Sequence, residues 1–365
     1  MHPDIENLRN LRPQLFSAPE FWLSGLSDID LAAQQVKKGN VECIGKSAGG
    51  SNLYAFSYGE LEPMAPTATI SSAMASDRPE SFYDPKRRSR PALVIIGSIH
   101  GGETEGIAFC LSLLRLLETE RDSSGNEHPE LLEKIRRLRL CVIPCLNPDG
   151  RSRAGISHLN GAALNDLFLV QQGLLADGSP FFGRKIKEIQ PIPKEKMRFM
   201  GGYYNNDGVN LQHDDFFGPK LAPENEAIRD FFGREMPDAF LAFHAHGGAP
   251  AILTPDSFLS PGMQRKQIEM AGFILSKLHG SGIEFIPPDR IVTPPWSFYF
   301  QTWLHHMTGA TPLLFEFCHG LENNPVSLER ILETGFVTIK AWADYCLVFG
   351  ARASSQELFA SVHPA

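Results

Sequence analysis

The chain has 365 residues, 42% of them hydrophobic and 21% charged, with 34 Lys and Arg against 42 Asp and Glu, for a formal charge of −8. Acidic and basic residues are interspersed, which argues against a nucleic-acid or membrane-surface partner. The length suffices for one large α/β domain with its own core, and six irregularly spaced cysteines, with Cys141, Cys145 and Cys318 inside apolar runs, read as buried free thiols rather than a disulfide frame.

The opening MHPDIENLRNLRPQ is polar, without an apolar stretch of signal-peptide form, and no later run has the length of a membrane span, so a cytoplasmic location is expected. A helical segment over residues 1–40 precedes a strand pair near 41–60. A Pro/Ser/Met-rich insertion follows, in which KRRSR at 86–90 reads as a solvated approach to the next strand. Strand 92–98, helix 104–119, a helix near 128–138 and strand 139–145 then alternate in β/α fashion. Residues 151–206 are interrupted by glycine, proline and lysine and read as an extended excursion over the mouth of a site. Helix 222–233, strand 238–244, helix 261–280, helix 296–307, strand 311–317 and a closing helix 326–348 complete the pattern, with a frayed tail at 351–365. The expected fold is therefore a single α/β domain over residues 41–350, with a central mixed, mostly parallel sheet flanked by helices.

Four strand ends carry the chemistry. ALVIIGSIHGGETEG places His100 and Glu103 where an apolar strand gives way to a small-residue turn and a helix, a backbone rigid enough to aim an imidazole and a carboxylate at one point. Glu103 also suits a helix N-terminus, where an acid favours the macrodipole. PDAFLAFHAHGG ends on His244, with His246 two residues on. These two are expected to face opposite sides of the strand, so that one enters the site; His244 is favoured, and His246 is expected to pack or hydrogen-bond behind it. GATPLLFEFCHG holds one acid, Glu316, in an apolar run, where a carboxylate needs a partner or a metal. RLCVIPCLNPDGRSR breaks at Asn147-Pro148-Asp149-Gly150 and delivers Arg151 and Arg153. Ligands of open α/β sheets bind outside the carboxyl ends of the strands, so these groups converge on one crevice.

His, Glu, His is a standard three-ligand set for catalytic zinc with a fourth position open to water, which assigns one Zn2+ per chain to His100, Glu103 and His244. Glu316 is then free to act as general base and later acid, and Arg153 or Arg151 fits stabilisation of an oxyanion.

These residues resemble the zinc carboxypeptidases of the carboxypeptidase A type, including the cytosolic branch. The resemblance runs from VECIGKSAGGSNLYAFSYGE through the HxxE pair, the NPDG turn, DGVNLQHDDF, the HAH strand end and LLFEFCHG, in order and approximate spacing. It implies a carboxypeptidase-type, phosphorylase/hydrolase-like fold. It also implies His100, Glu103 and His244 as zinc ligands, Glu316 as catalytic base, and an arginine after NPDG, Arg153 ranked above Arg151, as the carbonyl-polarising residue.

The pattern departs from the family where the substrate would be held. Gln212 and His213 stand where relatives carry an Asn-Arg pair whose arginine clamps the terminal carboxylate, and a histidine does not reproduce a guanidinium fork. His213 in protonated form, an arginine from elsewhere, or a substrate without a free α-carboxylate are the alternatives. Asn210 stands where the family often has an acid orienting the first zinc histidine, and its carbonyl can accept the same ring N–H. Tyr299 is the nearest counterpart of a substrate-capping tyrosine, and Gln301 lies near the position that sets side-chain preference. His305, His306, His319, Trp296 and Trp303 are assigned to the core or to a supporting layer. The expected activity is hydrolysis of a peptide or related amide bond, on a peptide or N-acyl amino acid-like substrate. A deacylase of the same fold, or a catalytically silent metal-binding protein, are the other two readings.

Overall fold

The computed structural model describes residues 1–352 apart from 65, 85–87, 182–186, 188, 216–217, 219, 255 and 288–297. Part of the basic cluster at 86–90, Trp296 with the start of the helix expected at 296, and the tail from 353 onward lie outside the described residues.

Seven strands form one mixed sheet: β1 (Asn40–Lys46), β2 (Asn52–Tyr58), β3 (Ala92–Ile96), β4 (Arg139–Ile143), β7 (Ala239–His246), β8 (Ala251–Leu253) and β9 (Thr311–Cys318), in the order β1-β2-β4-β3-β7-β9-β8. The four central strands β4, β3, β7 and β9 run parallel, and the edges are antiparallel. A second sheet pairs β5 (Gly173–Leu175) with β6 (Met197–Met200). The central strands are near-continuous apolar runs because helices cover both faces.

Side-chain alternation sorts these runs into two cores. Leu93, Ile95, Leu241, Phe243, Leu313, Phe315 and Phe317 face one side. There they pack against α4 (Thr104–Thr119), α9 (Pro261–Gly280) and α11 (Leu328–Phe349). Val94, Ile96, Phe240 and Ala242 face the other, against α8 (Pro223–Glu235) and α10 (Phe300–Thr308). Full burial of each large apolar side chain contributes about 1.5–3 kcal/mol, so the parallel core holds the strand ends firmly. Helix α4 matches the expected bounds; the strand and closing-helix expectations differ from the observed bounds by a few residues.

Three differences affect the site. NPDG does not end in an open turn: Asn147 caps α6 (Pro148–Ala154), its Oδ1 accepting from Gly150 N at 2.8 Å, so Arg151 and Arg153 project from a helix. The 151–206 excursion contains α7 (Leu164–Gln172) and the β5–β6 pair, built on Leu159, Val170 and Phe199 with Ile5 and Leu8 of α1 (Pro3–Leu11). Strand β8, three residues long, carries too little periodicity to be legible beforehand. The remaining helices are α2 (Leu26–Gln35), α3 (Ile70–Ala75) and α5 (Pro129–Ile135). All six cysteines are free thiols, and five are buried. Among the described residues, no helix is long and apolar enough to cross a membrane.

Candidate metal centre and active site

Three of the four strand ends bring donor atoms together. One ligand atom each from His100, Glu103 and His244, all buried, lies within 4.8 Å of the others. His100 Nδ1 is 2.7 Å from Glu103 Oε1, and His244 Nδ1 is 3.3 Å from His100 Nδ1 and 3.1 Å from Glu103 Oε2. Donors bound at about 2.1 Å in a tetrahedron stand about 3.4 Å apart, and the two imidazole Nδ1 atoms, 3.3 Å apart, have that spacing, with a Glu103 carboxylate oxygen close to each. Glu103 sits at the N-cap of α4, and the turn before it is tight. Ser98 has φ 46°, a strained left-handed value for a non-glycine residue at the strand end. A Cβ on Gly101 would meet Arg151 N at 2.0 Å, so only glycine lets this turn press against α6.

The hydrogen bonds themselves call for a cation. Asn210 Oδ1 accepts from Gln212 N at 3.1 Å, which fixes it as an acceptor, and it lies 3.1 Å from His100 Nε2. The His100 proton therefore sits on Nε2. Burial pushes the His100 pKa down, favouring the neutral ring, so its Nδ1 presents a lone pair to a carboxylate oxygen 2.7 Å away. Burial raises the Glu103 pKa, and positive charge on the neighbouring imidazoles brings it down to about 2, a role that a cation at this point takes over when the His100 ring is neutral. Glu103 Oε2 is buried without a hydrogen-bond partner, 3.1 Å from His244 Nδ1. Lone pairs converging on one point fit a metal ion and are costly without one.

Glu316 stands beside this group. It is the register partner of His244 on the adjacent parallel strand, so both side chains leave the same face of the sheet. Burial raises its pKa to about 7, and nearby His244 opposes the rise. His246, two residues from His244, shares that face as well, contrary to the expectation that they point to opposite sides, because side chains repeat at every second residue. What separates them is the strand end, where His246 Nε2 bonds Ala249 O at 2.8 Å.

The two candidate arginines bond backbone carbonyls around α6, while Arg151 Nη1 is buried without a partner. Arg151 is buried, with Nε donating to Ser24 O at 2.8 Å and Nη2 to Ile156 O. Arg153 Nη1 donates to Gly201 O at 3.0 Å and Tyr204 O at 2.8 Å, and Nη2 to Asn206 Oδ1 at 2.7 Å. Both guanidinium groups brace the chain around α6. The charge of Lys187 reaches Glu316, after those of His244 and His319, and also His213.

On the substrate side, Gln212 Nε2 donates to Gln301 Oε1 at 2.9 Å, so two residues expected to contact substrate are bonded to each other, and both are buried. His213 packs against Tyr299, ring centroids 5.4 Å apart. Burial, assisted by the charge of Lys187, drives the His213 pKa down to about 3, which removes protonated His213 as a carboxylate anchor near neutral pH. His305 Nδ1 bonds Ala310 O, exposed His306 Nε2 bonds Phe258 O and Trp303 Nε1 donates to Asp214 O.

Several contributors were not anticipated, and His319 was expected only in the core or a supporting layer. Tyr203 stacks on His100 with centroids 4.0 Å apart, and burial raises the pKa of its hydroxyl, which Glu103 and Glu316 raise further. Lys187 lies in a segment where no periodicity singles it out. Glu105 and His319 form a buried pair described below. The one prior signal was the second acid in HGGETEG, which nothing in the spacing connected to a histidine more than two hundred residues on.

Comparison with known proteins agrees with this geometry. The zinc carboxypeptidase family model matches residues 29–162, a stretch that includes His100 and Glu103 and ends before His244 and Glu316. No curated protein matches the chain by sequence. Among solved structures, the fold is similar to the metallo-carboxypeptidase of Burkholderia cenocepacia, with TM-score 0.56 and 15% identity over 88% of this chain and 69% of that one. It is similar to carboxypeptidase A from Helicoverpa armigera, at TM-score 0.54 and 16% identity over 96% and 81%. It is also similar to the Pseudomonas aeruginosa metallo-carboxypeptidase solved with (2-guanidinoethylmercapto)succinic acid, at TM-score 0.54 and 14% identity over 89% and 68%. At these identities the structural likeness is one of fold. A family match over residues 29–162 and a fold shared with metallo-carboxypeptidases make this chain similar to the zinc carboxypeptidases.

Proposed function

We propose that the chain hydrolyses a peptide or related amide bond, with His100, Glu103 and His244 holding one zinc ion and Glu316 as general base. One observation carries this reading: Glu316, raised toward neutrality by burial, is the strand-to-strand partner of His244 and so adjoins the three converging donors. Zinc at that point supplies a Lewis acid that acidifies water and polarises a carbonyl. Glu316 accepts a proton from the attacking water on a carboxylate oxygen and returns it to the leaving amine nitrogen. Asn210 retains the proton on His100 Nε2, which leaves Nδ1 free to ligate, and Tyr203 packs the ring in place. Lys187 offers a positive charge near the developing oxyanion, the role expected of Arg153 or Arg151, as a point charge rather than a fork.

A second reading is favoured by Gln212 and His213. Both are uncharged near neutral pH, so the position that clamps a terminal carboxylate in relatives offers no guanidinium here. A deacylase acting on a substrate without a free α-carboxylate accommodates that. The two readings separate on matched substrates: release of C-terminal amino acids from mixed peptides supports the peptidase, and turnover confined to N-acyl or C-terminally blocked substrates supports the deacylase. Failure on both panels by zinc-loaded protein would remove the hydrolase reading.

A further inference from the structure

Behind the metal group lies a second buried acid–imidazole pair. Glu105 is the second residue of α4, two positions past Glu103, and His319 follows β9 directly, three positions past Glu316. His319 Nδ1 and Glu105 Oε1 are 2.9 Å apart, and their side chains are 0% and 1% exposed. Placing an acid and an imidazole where water cannot reach them is costly unless they bond to each other, and a charge-assisted bond is roughly twice as strong as a neutral one. His319 N also donates to His246 O at 2.9 Å, extending the β7–β9 ladder by one residue. The pair thus joins the carboxyl end of the strand that carries Glu316 to the first turn of the helix that carries Glu103.

Its placement relative to the reacting groups is specific. Residues 313, 315 and 317 of β9 face α4, whereas Glu316 faces the crevice, so the His319 bond grips the strand from the side opposite Glu316. Both carboxylates, Glu103 and Glu316, lie within electrostatic reach of the His319 ring. Arg151 lies within electrostatic reach of Glu105, but its Nε and Nη2 donate to Ser24 O and Ile156 O, and Arg153 donates to Gly201 O and Tyr204 O.

We infer that the Glu105–His319 hydrogen bond is a positioning device that fixes the carboxylate of Glu316 relative to the metal ligands, so that both residues set kcat without touching substrate or metal. The inference rests on the assignment of Glu316 as general base. A base held a fraction of an ångström off its proton-transfer geometry loses rate while substrate binding and metal binding are unchanged.

The test is a set of variants assayed for zinc content, thermal unfolding, kcat and KM on whichever amide substrate the wild type turns over. His319→Leu is expected to lower kcat about 10- to 100-fold with KM and zinc per chain unchanged. Glu105→Leu/His319→Leu removes both polar partners together and so avoids a stranded buried charge; it is expected to match His319→Leu in kcat. His319→Asn keeps a donor at the position of Nδ1 and is expected to restore kcat to within a few-fold of wild type. In a Glu316→Gln background, His319→Leu is expected to cost nothing further, because a positioning residue has nothing left to position. Full kcat in the folded double variant, equal losses in both backgrounds, or His319→Asn as slow as His319→Leu would each overturn the inference. Failure of the underlying reading looks different: Glu316→Gln alone would retain full rate.

Discussion

The two sides of the crevice are built differently. On the metal side, His100, His244 and Glu316 sit at the carboxyl ends of β3, β7 and β9, and the sheet that places them has apolar cores on both faces. On the substrate side, Gln212, His213, Gln301 and Tyr299 come from a single 3-10 turn and from the start of α10. The first side carries the donor set expected of a zinc hydrolase, and the second carries no arginine among these four residues. A rigid sheet can hold one chemistry constant while short turns and helix ends change what is presented to it.

The largest effect should come from the metal side. Glu316→Gln is expected to keep zinc and lose roughly two or more orders of magnitude in kcat, read by steady-state kinetics beside elemental analysis; an unimpaired variant would end the assignment of the base. Next, Asn210→Ala should weaken zinc binding about 10- to 100-fold in competition with a chelator, because the His100 Nε2 proton loses its acceptor. Unchanged affinity would show that Asn210 serves only Gln212 N.

Changes on the substrate side should be smaller and selective. Gln212→Asn with His213→Arg supplies the missing guanidinium and is expected to raise kcat/KM about tenfold on peptides with a free terminal carboxylate, and to leave amidated peptides unchanged. Equal effects on both would mean that this position does not meet the substrate terminus. Smallest is an effect on stability. Burial depresses the His213 pKa to about 3, below its unfolded value near 6.5, so the neutral form is favoured by folding and its stability contribution is lost as pH falls from about 6.5 toward 3. His213→Gln should therefore lose less stability on acidification across that window, measured by denaturant unfolding at several pH values; parallel curves would contradict the assignment.

The same contrast explains what the sequence disclosed. The apolar run before His100, the helix at 104–119 and the acid inside LLFEFCHG were legible because burial on both faces imposes a pattern on neighbouring residues. The opposite-face placement of His244 and His246 failed on strand periodicity itself, since residues two apart share a face. The surroundings of the two arginines were hidden for another reason: Asn147 caps a helix, and α6 turns Arg151 toward Ser24 and Arg153 toward the carbonyls of residues 201–205. No local pattern forecasts such long-range acceptors. Tyr203 on His100, Gln212 on Gln301 and Glu105 on His319 are likewise contacts between distant segments, and these decide how the donors are oriented.

The central claim is that His100, Glu103 and His244 form one zinc site, and the direct test is elemental analysis of the purified chain beside His244→Ala. The account predicts about one zinc per chain in the wild type and loss of that zinc in a variant that remains folded by circular dichroism. Stoichiometric zinc retained by folded His244→Ala, or no zinc in the wild type after reconstitution, would contradict it.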